Sequence, residues 1–123
     1  MNISVFGLGY VGAVSLACLA RDGHRIVGVD VDTGKLDLIR RGQTPIIEEG
    51  MQDLVRDVVA TGRVEVTPEA AYAVARSDIS FLCVGTPSRP NGSSDLSAME
   101  RCCAQLGEAM KSKDGYHVFV VRS

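Results

Sequence analysis

Three glycines, Gly7, Gly9 and Gly12, punctuate the stretch FGLGYVGAV directly after the apolar run NISVF, and an aspartate, Asp30, closes the next apolar run. A core-forming segment gains nothing from three residues without side chains, but a dinucleotide site does. Gly7 permits a tight turn, Gly9 lets the backbone approach a pyrophosphate with no Cβ in the way, and Gly12 lets the following helix lie close on the strand. The amides opening that helix then face the phosphates, and the helix dipole adds about 0.3–1 kcal/mol. Asp30 suits the same ligand, because a carboxylate at the end of a second strand accepts hydrogen bonds from the adenosine ribose and repels a 2′-phosphate. No arginine follows it in VDVDTGK, so NAD is expected rather than NADP. Lys35, one turn into the next helix, either reaches that ribose or the phosphates or remains a solvated surface lysine; spacing leaves both open.

Other chemistries fare worse. No Gly-Lys-Ser/Thr follows the glycines, which excludes a Walker-type loop. The four cysteines, Cys18, Cys83, Cys102 and Cys103, form no CxxC pair, and neither His24 nor His117 stands at ligand spacing from them. They are expected to be reduced thiols, mostly filling the core, with no metal bound. Asn91-Gly92-Ser93 matches a glycosylation sequon but is read as a loop turn.

The elements that must hold these residues follow from apolar period and breakers. Strands are predicted at 2–6, 25–30, 63–66, 77–84 and 117–121. Helices are predicted from Tyr10 to Arg21, from a Thr33 cap through Arg41, from Met51 to Ala60, from a Thr67 cap with Pro68 at the first helical position to Ala75, and from an Asp95 cap through Lys111. Alternating strands and helices with right-handed crossovers predict an α/β fold, a doubly wound parallel sheet of Rossmann type ordered 3-2-1-4-5. Ligands of such sheets sit beyond the carboxyl ends of the strands where the order reverses, between the first and fourth.

The totals agree with one domain over residues 1–123. A 123-residue chain has room for a single core, and a net charge of −2 with a pI near 5.6 gives no footprint for a nucleic-acid backbone. Apolar runs are too short to span a membrane, and because NISVF enters a strand directly, without a charged n-region, long apolar stretch and cleavage site, a secretory signal is not expected. A cytoplasmic protein is expected. The sequence ends directly after the apolar fifth strand, which predicts a fragment lacking central and C-terminal substrate domains.

With FGLGYVGAV, VGVDVDTGK, the proline loop before Glu48-Glu49-Gly50 and FLCVGTPSRPNGSSDL in this order, the chain resembles the nucleotide-sugar 6-dehydrogenases over its whole length. The TPS…NG…DL form of the last loop looks closer to the GDP-mannose branch than to the UDP-glucose branch. The resemblance implies that Tyr10 and Val11 meet the pyrophosphate through their backbone, that Asp30 and Lys35 contact the adenosine ribose, and that Thr86 contacts the nicotinamide half. For Thr86 the residues alone leave another role open, a hydroxyl stabilising its own turn before Pro87. The implied activity is oxidation of the C6 alcohol of a nucleotide-linked hexose to a carboxylate with two NAD, through a thioester on a cysteine, by a homodimer or higher homo-oligomer. None of the four cysteines here matches that nucleophile, so no catalytic residue is assigned. Two other functions fit the first domain alone: an NAD-binding sensor without catalysis, and the opening domain of a hydroxyacid-type dehydrogenase.

Overall fold

The computed structural model describes residues 1–122; Ser123 lies outside the described residues. Five parallel strands, β1 (Asn2–Phe6), β2 (Arg25–Val29), β3 (Val64–Thr67), β4 (Ile79–Leu82) and β5 (Val118–Val121), form one sheet in the order β3-β2-β1-β4-β5. The order is the one the alternation predicts. The helices are α1 (Tyr10–Arg21), α2 (Thr33–Arg40), α3 (Met51–Ala60), α4 (Ala70–Ala75) and α5 (Ser97–Met110).

Strand periodicity decides which helices cover which face. Ile3, Val5 and Ile26 point to the side of α1, α2 and α3, where they pack with Leu16, Leu36, Ile39 and Val58. Phe6, Val27, Val29 and Leu82 point the other way and pack with Ala73 and Val74 of α4 and Cys102 and Leu106 of α5. Central β1 is therefore buried on both sides, and β3 and β5 form the sheet edges. Among the described residues no helix is long and apolar enough to cross a membrane.

Several boundaries differ from the predicted ones, each for a local reason. The cap of α2 is Asp32, not Thr33: its carboxylate accepts the amide N–H groups of Gly34 and Lys35 at 3.0 and 3.3 Å. Thr67 and Pro68 do not open α4. Thr67 belongs to β3, its hydroxyl accepts the Glu69 N–H, and Glu69 takes the cap position before Ala70. Asp95 holds the approach to α5 by accepting from the Ser97 N–H and hydroxyl, while Leu96 occupies the cap position. The fourth strand is confined to Ile79–Leu82, because Ser77 and Asp78 turn into it and Cys83 and Val84 leave it towards the loop.

Candidate cofactor site

The turn between β1 and α1 is locked from three sides. Gly7 has φ +91°, a conformation side chains rarely adopt, and a Cβ there would stand 2.8 Å from the Cys83 carbonyl oxygen. A Cβ on Gly12 would stand 1.6 Å from the Gly7 carbonyl oxygen, so the first turn of α1 rests directly on the glycine turn. Leu8 between them is fully buried and anchors the turn in the core. The Gly7 N–H is donated to the Val29 carbonyl at 2.8 Å, and the Cys83 N–H to the Phe6 carbonyl at 2.7 Å, which binds the ends of β2 and β4 to the same point.

Gly9 differs from both neighbours. Its φ of −75° suits any residue, and a Cβ added to it would meet nothing within 4 Å. The direction that side chain would take is open space above the helix. Gly9 also occupies the N-cap position of α1, and no side chain caps this end. The first amides of a helix have no partner within it, so this end presents unpaired donors and the positive end of the dipole to that space. An anion fits here, held by backbone alone.

Asp30 lies one residue past β2 and faces the turn. One carboxylate oxygen accepts the Leu8 N–H at 2.8 Å, and the other accepts the Asp32 N–H at 2.9 Å. Lys35 extends from α2 to within 4.0 Å of the first of these oxygens. Sequence reasoning placed Asp30 and Lys35 near a ribose but missed Leu8 and Asp32, which aim them. Asp32 carried a legible signal, an acid immediately before Thr33-Gly34-Lys35 at a helix start; the Leu8 contact spans 22 residues and carried none.

A cleft of about 530 Å³ runs across the carboxyl ends of the strands. It brings together Gly7, Gly9, Tyr10, Val11, Asp30, Lys35 and Thr86. Gly12 does not line it and lies beneath the turn instead. The far wall was not anticipated: Ala98, Arg101, Cys102 and Gln105 form one stripe of α5, and Arg122 follows β5. Burial holds the Cys102 thiol at about 11 and raises that of Cys83, although the Arg122 guanidinium pulls Cys83 the other way. Both thiols are therefore protonated near neutral pH and act as apolar wall.

A doubly wound sheet with a glycine turn, an open helix end at its switch point and an acid closing β2 is a dinucleotide-binding domain. The comparisons with known proteins narrow the class. The family model of the UDP-glucose/GDP-mannose dehydrogenase family, NAD binding domain, matches residues 1–123. GDP-mannose 6-dehydrogenase of Pseudomonas aeruginosa is 49% identical over 123 residues, covering 100% of this chain and 28% of that protein. UDP-glucose 6-dehydrogenase of Rhizobium meliloti is 42% identical over 124 residues, again covering 100% and 28%. A crystal structure of a ternary complex of GDP-mannose dehydrogenase from Pseudomonas aeruginosa superposes with a TM-score of 0.98 at 49% identity, covering 100% of this chain and 28% of that one. The chain belongs to the UDP-glucose/GDP-mannose dehydrogenase family as its NAD-binding domain, and it spans 28% of the length of these relatives.

Proposed function

We propose that this chain is the cofactor-holding part of an NAD-dependent nucleotide-sugar 6-dehydrogenase, acting on GDP-mannose rather than UDP-glucose. The observation that carries the cofactor assignment is the open Cβ direction of Gly9 at the uncapped end of α1, with Asp30 fixed beside it. The backbone of Tyr10 and Val11 holds the pyrophosphate, Asp30 and Lys35 hold the adenosine ribose, and Thr86 holds the nicotinamide half. Bound NAD supplies the hydride acceptor. The role of these residues is to orient it, and with Asp30 already pinned by two amides they do so with little rearrangement. Preference for GDP-mannose is supported by the TPS…NG…DL loop and by 49% identity to a GDP-mannose enzyme against 42% to a UDP-glucose enzyme. Residues that attack the sugar are proposed to belong to sequence corresponding to the rest of the relatives' length. A homo-oligomer in the cytoplasm is proposed on the family resemblance and the unpaired cysteines.

Calorimetric titration with NADH and NADPH tests the cofactor assignment. Tight binding of NADH and at least about tenfold weaker binding of NADPH are expected, since Asp30 faces the 2′-position. Gly9→Val is expected to weaken NADH binding by well over about tenfold while costing no more than the roughly 1 kcal/mol of an N-cap change, because its Cβ would enter the cleft with no protein atom within 4 Å. Unchanged affinity in Gly9→Val, or a preference for NADPH, overturns the reading.

A further inference from the structure

At the opposite end of the sheet a chain of polar side chains crosses three strands. Ser4 and Ser80 are paired in register on β1 and β4, both fully buried, with their hydroxyls 2.5 Å apart. Ser77 lies 3.0 Å from Ser4 and 2.7 Å from the Ala73 carbonyl. Ser80 lies 2.8 Å from His117 Nε2, and His117 Nδ1 lies 2.8 Å from Lys113 Nζ. Lys113 also donates to the carbonyls of Val74, at 2.8 Å, and Ser77, at the carboxyl end of α4.

The two ends fix every proton in between. A carbonyl only accepts, so the single Ser77 proton goes to Ala73, and Ser4 must donate to Ser77. Ser80 then donates to Ser4, and His117 Nε2–H donates to Ser80. An ammonium only donates, so Lys113 must find a lone pair on His117 Nδ1. Its three N–H groups match three acceptors: Val74, Ser77 and an imidazole that has to be neutral.

We propose that Lys113 and His117 form an acid-sensitive latch that ties the α5–β5 connection to α4 and β4, closed while His117 is neutral and opened when it gains a proton. Protonation would put an N–H on Nδ1 facing the ammonium, so that the Lys113–Nδ1 hydrogen bond is lost and two cations are left in contact. The groups around His117 agree on direction. Burial and Lys113 push its pKa below 6.5, against the weaker opposing pull of Asp78 at the start of β4 and of the Ser77 carbonyl. Phe119 covers the ring with centroids 4.7 Å apart. Lys113 opens onto a groove of about 510 Å³ that also holds Arg25, Arg63 and Arg76, with Glu65 and Asp78 as its acids, so a released ammonium has water and carboxylates to move to. The latch reaches the cofactor cleft through a single strand: β5 starts beside His117 and leads into Arg122, whose N–H is donated to the Leu82 carbonyl at 2.9 Å and whose side chain lines the cleft.

The sign follows from proton counting. His117 binds fewer protons folded than unfolded in the interval between its depressed pKa and 6.5, so stability is full above that interval and falls as pH drops through it. The unfolding constant is expected to rise by up to about tenfold per pH unit there. Long-range proton–nitrogen NMR on the protein is expected to show His117 as the Nε2–H tautomer near neutral pH, titrating below 6.5. In Lys113→Met, its titration should return towards the ordinary imidazole range, and acid should no longer speed amide exchange at Val118 and Arg122 relative to β1. The Nδ1–H tautomer, a midpoint at or above 6.5 in the unaltered protein, or the same acid dependence of β5 exchange in Lys113→Met overturns the latch. The tautomer measurement stands even if the variant does not fold.

Discussion

The two ends of this sheet handle polar groups in opposite ways. At the carboxyl end, the amides opening α1 face space that no side chain fills, and Gly9, which unlike Gly7 and Gly12 of the same turn has free room around it, stands there. At the amino end, every hydroxyl of Ser4, Ser77 and Ser80 is spent on a neighbour, and no buried side-chain polar atom among the described residues lacks a partner. Unsatisfied donors are expensive unless a ligand or water takes them. An end that leaves them open is built to receive something, and an end that closes on itself is built to hold strands together.

The largest expected effect separates two glycines of one turn. Gly12→Ala places a methyl 1.6 Å from the Gly7 carbonyl oxygen, where backbone must move. Urea unfolding should show a loss of about 3 kcal/mol or more, against at most roughly 1 kcal/mol for Gly9→Val at the N-cap. If Gly12→Ala were as stable as the unaltered protein, the turn would not be the rigid floor described here. At the closed end, Ser4→Ala leaves the Ser80 proton without its acceptor and Ser77 without its donor, a cost of about 1–3 kcal/mol by the same assay. It should leave NADH affinity unaltered, and a parallel loss of affinity would mean that the two ends are less separate than drawn. The smallest effect belongs to neither end: Arg56 pairs with Asp53 and Asp57 on the exposed face of α3, and Arg56→Ala is expected to shift stability by under about 0.5 kcal/mol.

What the sequence disclosed divides along similar lines. Breakers and apolar period are local, and so are the glycine spacing and the acid after RIVGV; these sufficed for the order of elements, the sheet topology and the open end. Helix starts were misjudged where two capping residues stood side by side, as with Asp32 and Thr33, because only the folded backbone decides which carboxylate or hydroxyl meets the free amides. Contacts between distant segments were illegible. Ser4 and Ser80 are 76 residues apart, and as isolated serines in apolar strands they read as interruptions of the pattern. Their meaning depends on strand register, which places them opposite each other, and on His117, which lies one position before β5 begins. The α5 wall of the cleft was hidden for the same reason: Arg101 and Gln105 look like solvated helix positions until the fold brings them to one cleft with the ends of β1 and β2.

Asp30, proposed above as a ribose contact, also has a structural task. With one oxygen on the Leu8 amide and the other on the Asp32 amide, it is a strut joining the loop after β1 to the loop after β2. Removing it therefore slackens the frame at the same time as it deletes the proposed ribose contact. Asp30→Asn keeps one carbonyl oxygen for one loop and turns its amide towards the other, so its defect, compared with that of Asp30→Ala, separates scaffolding from recognition in a single side chain.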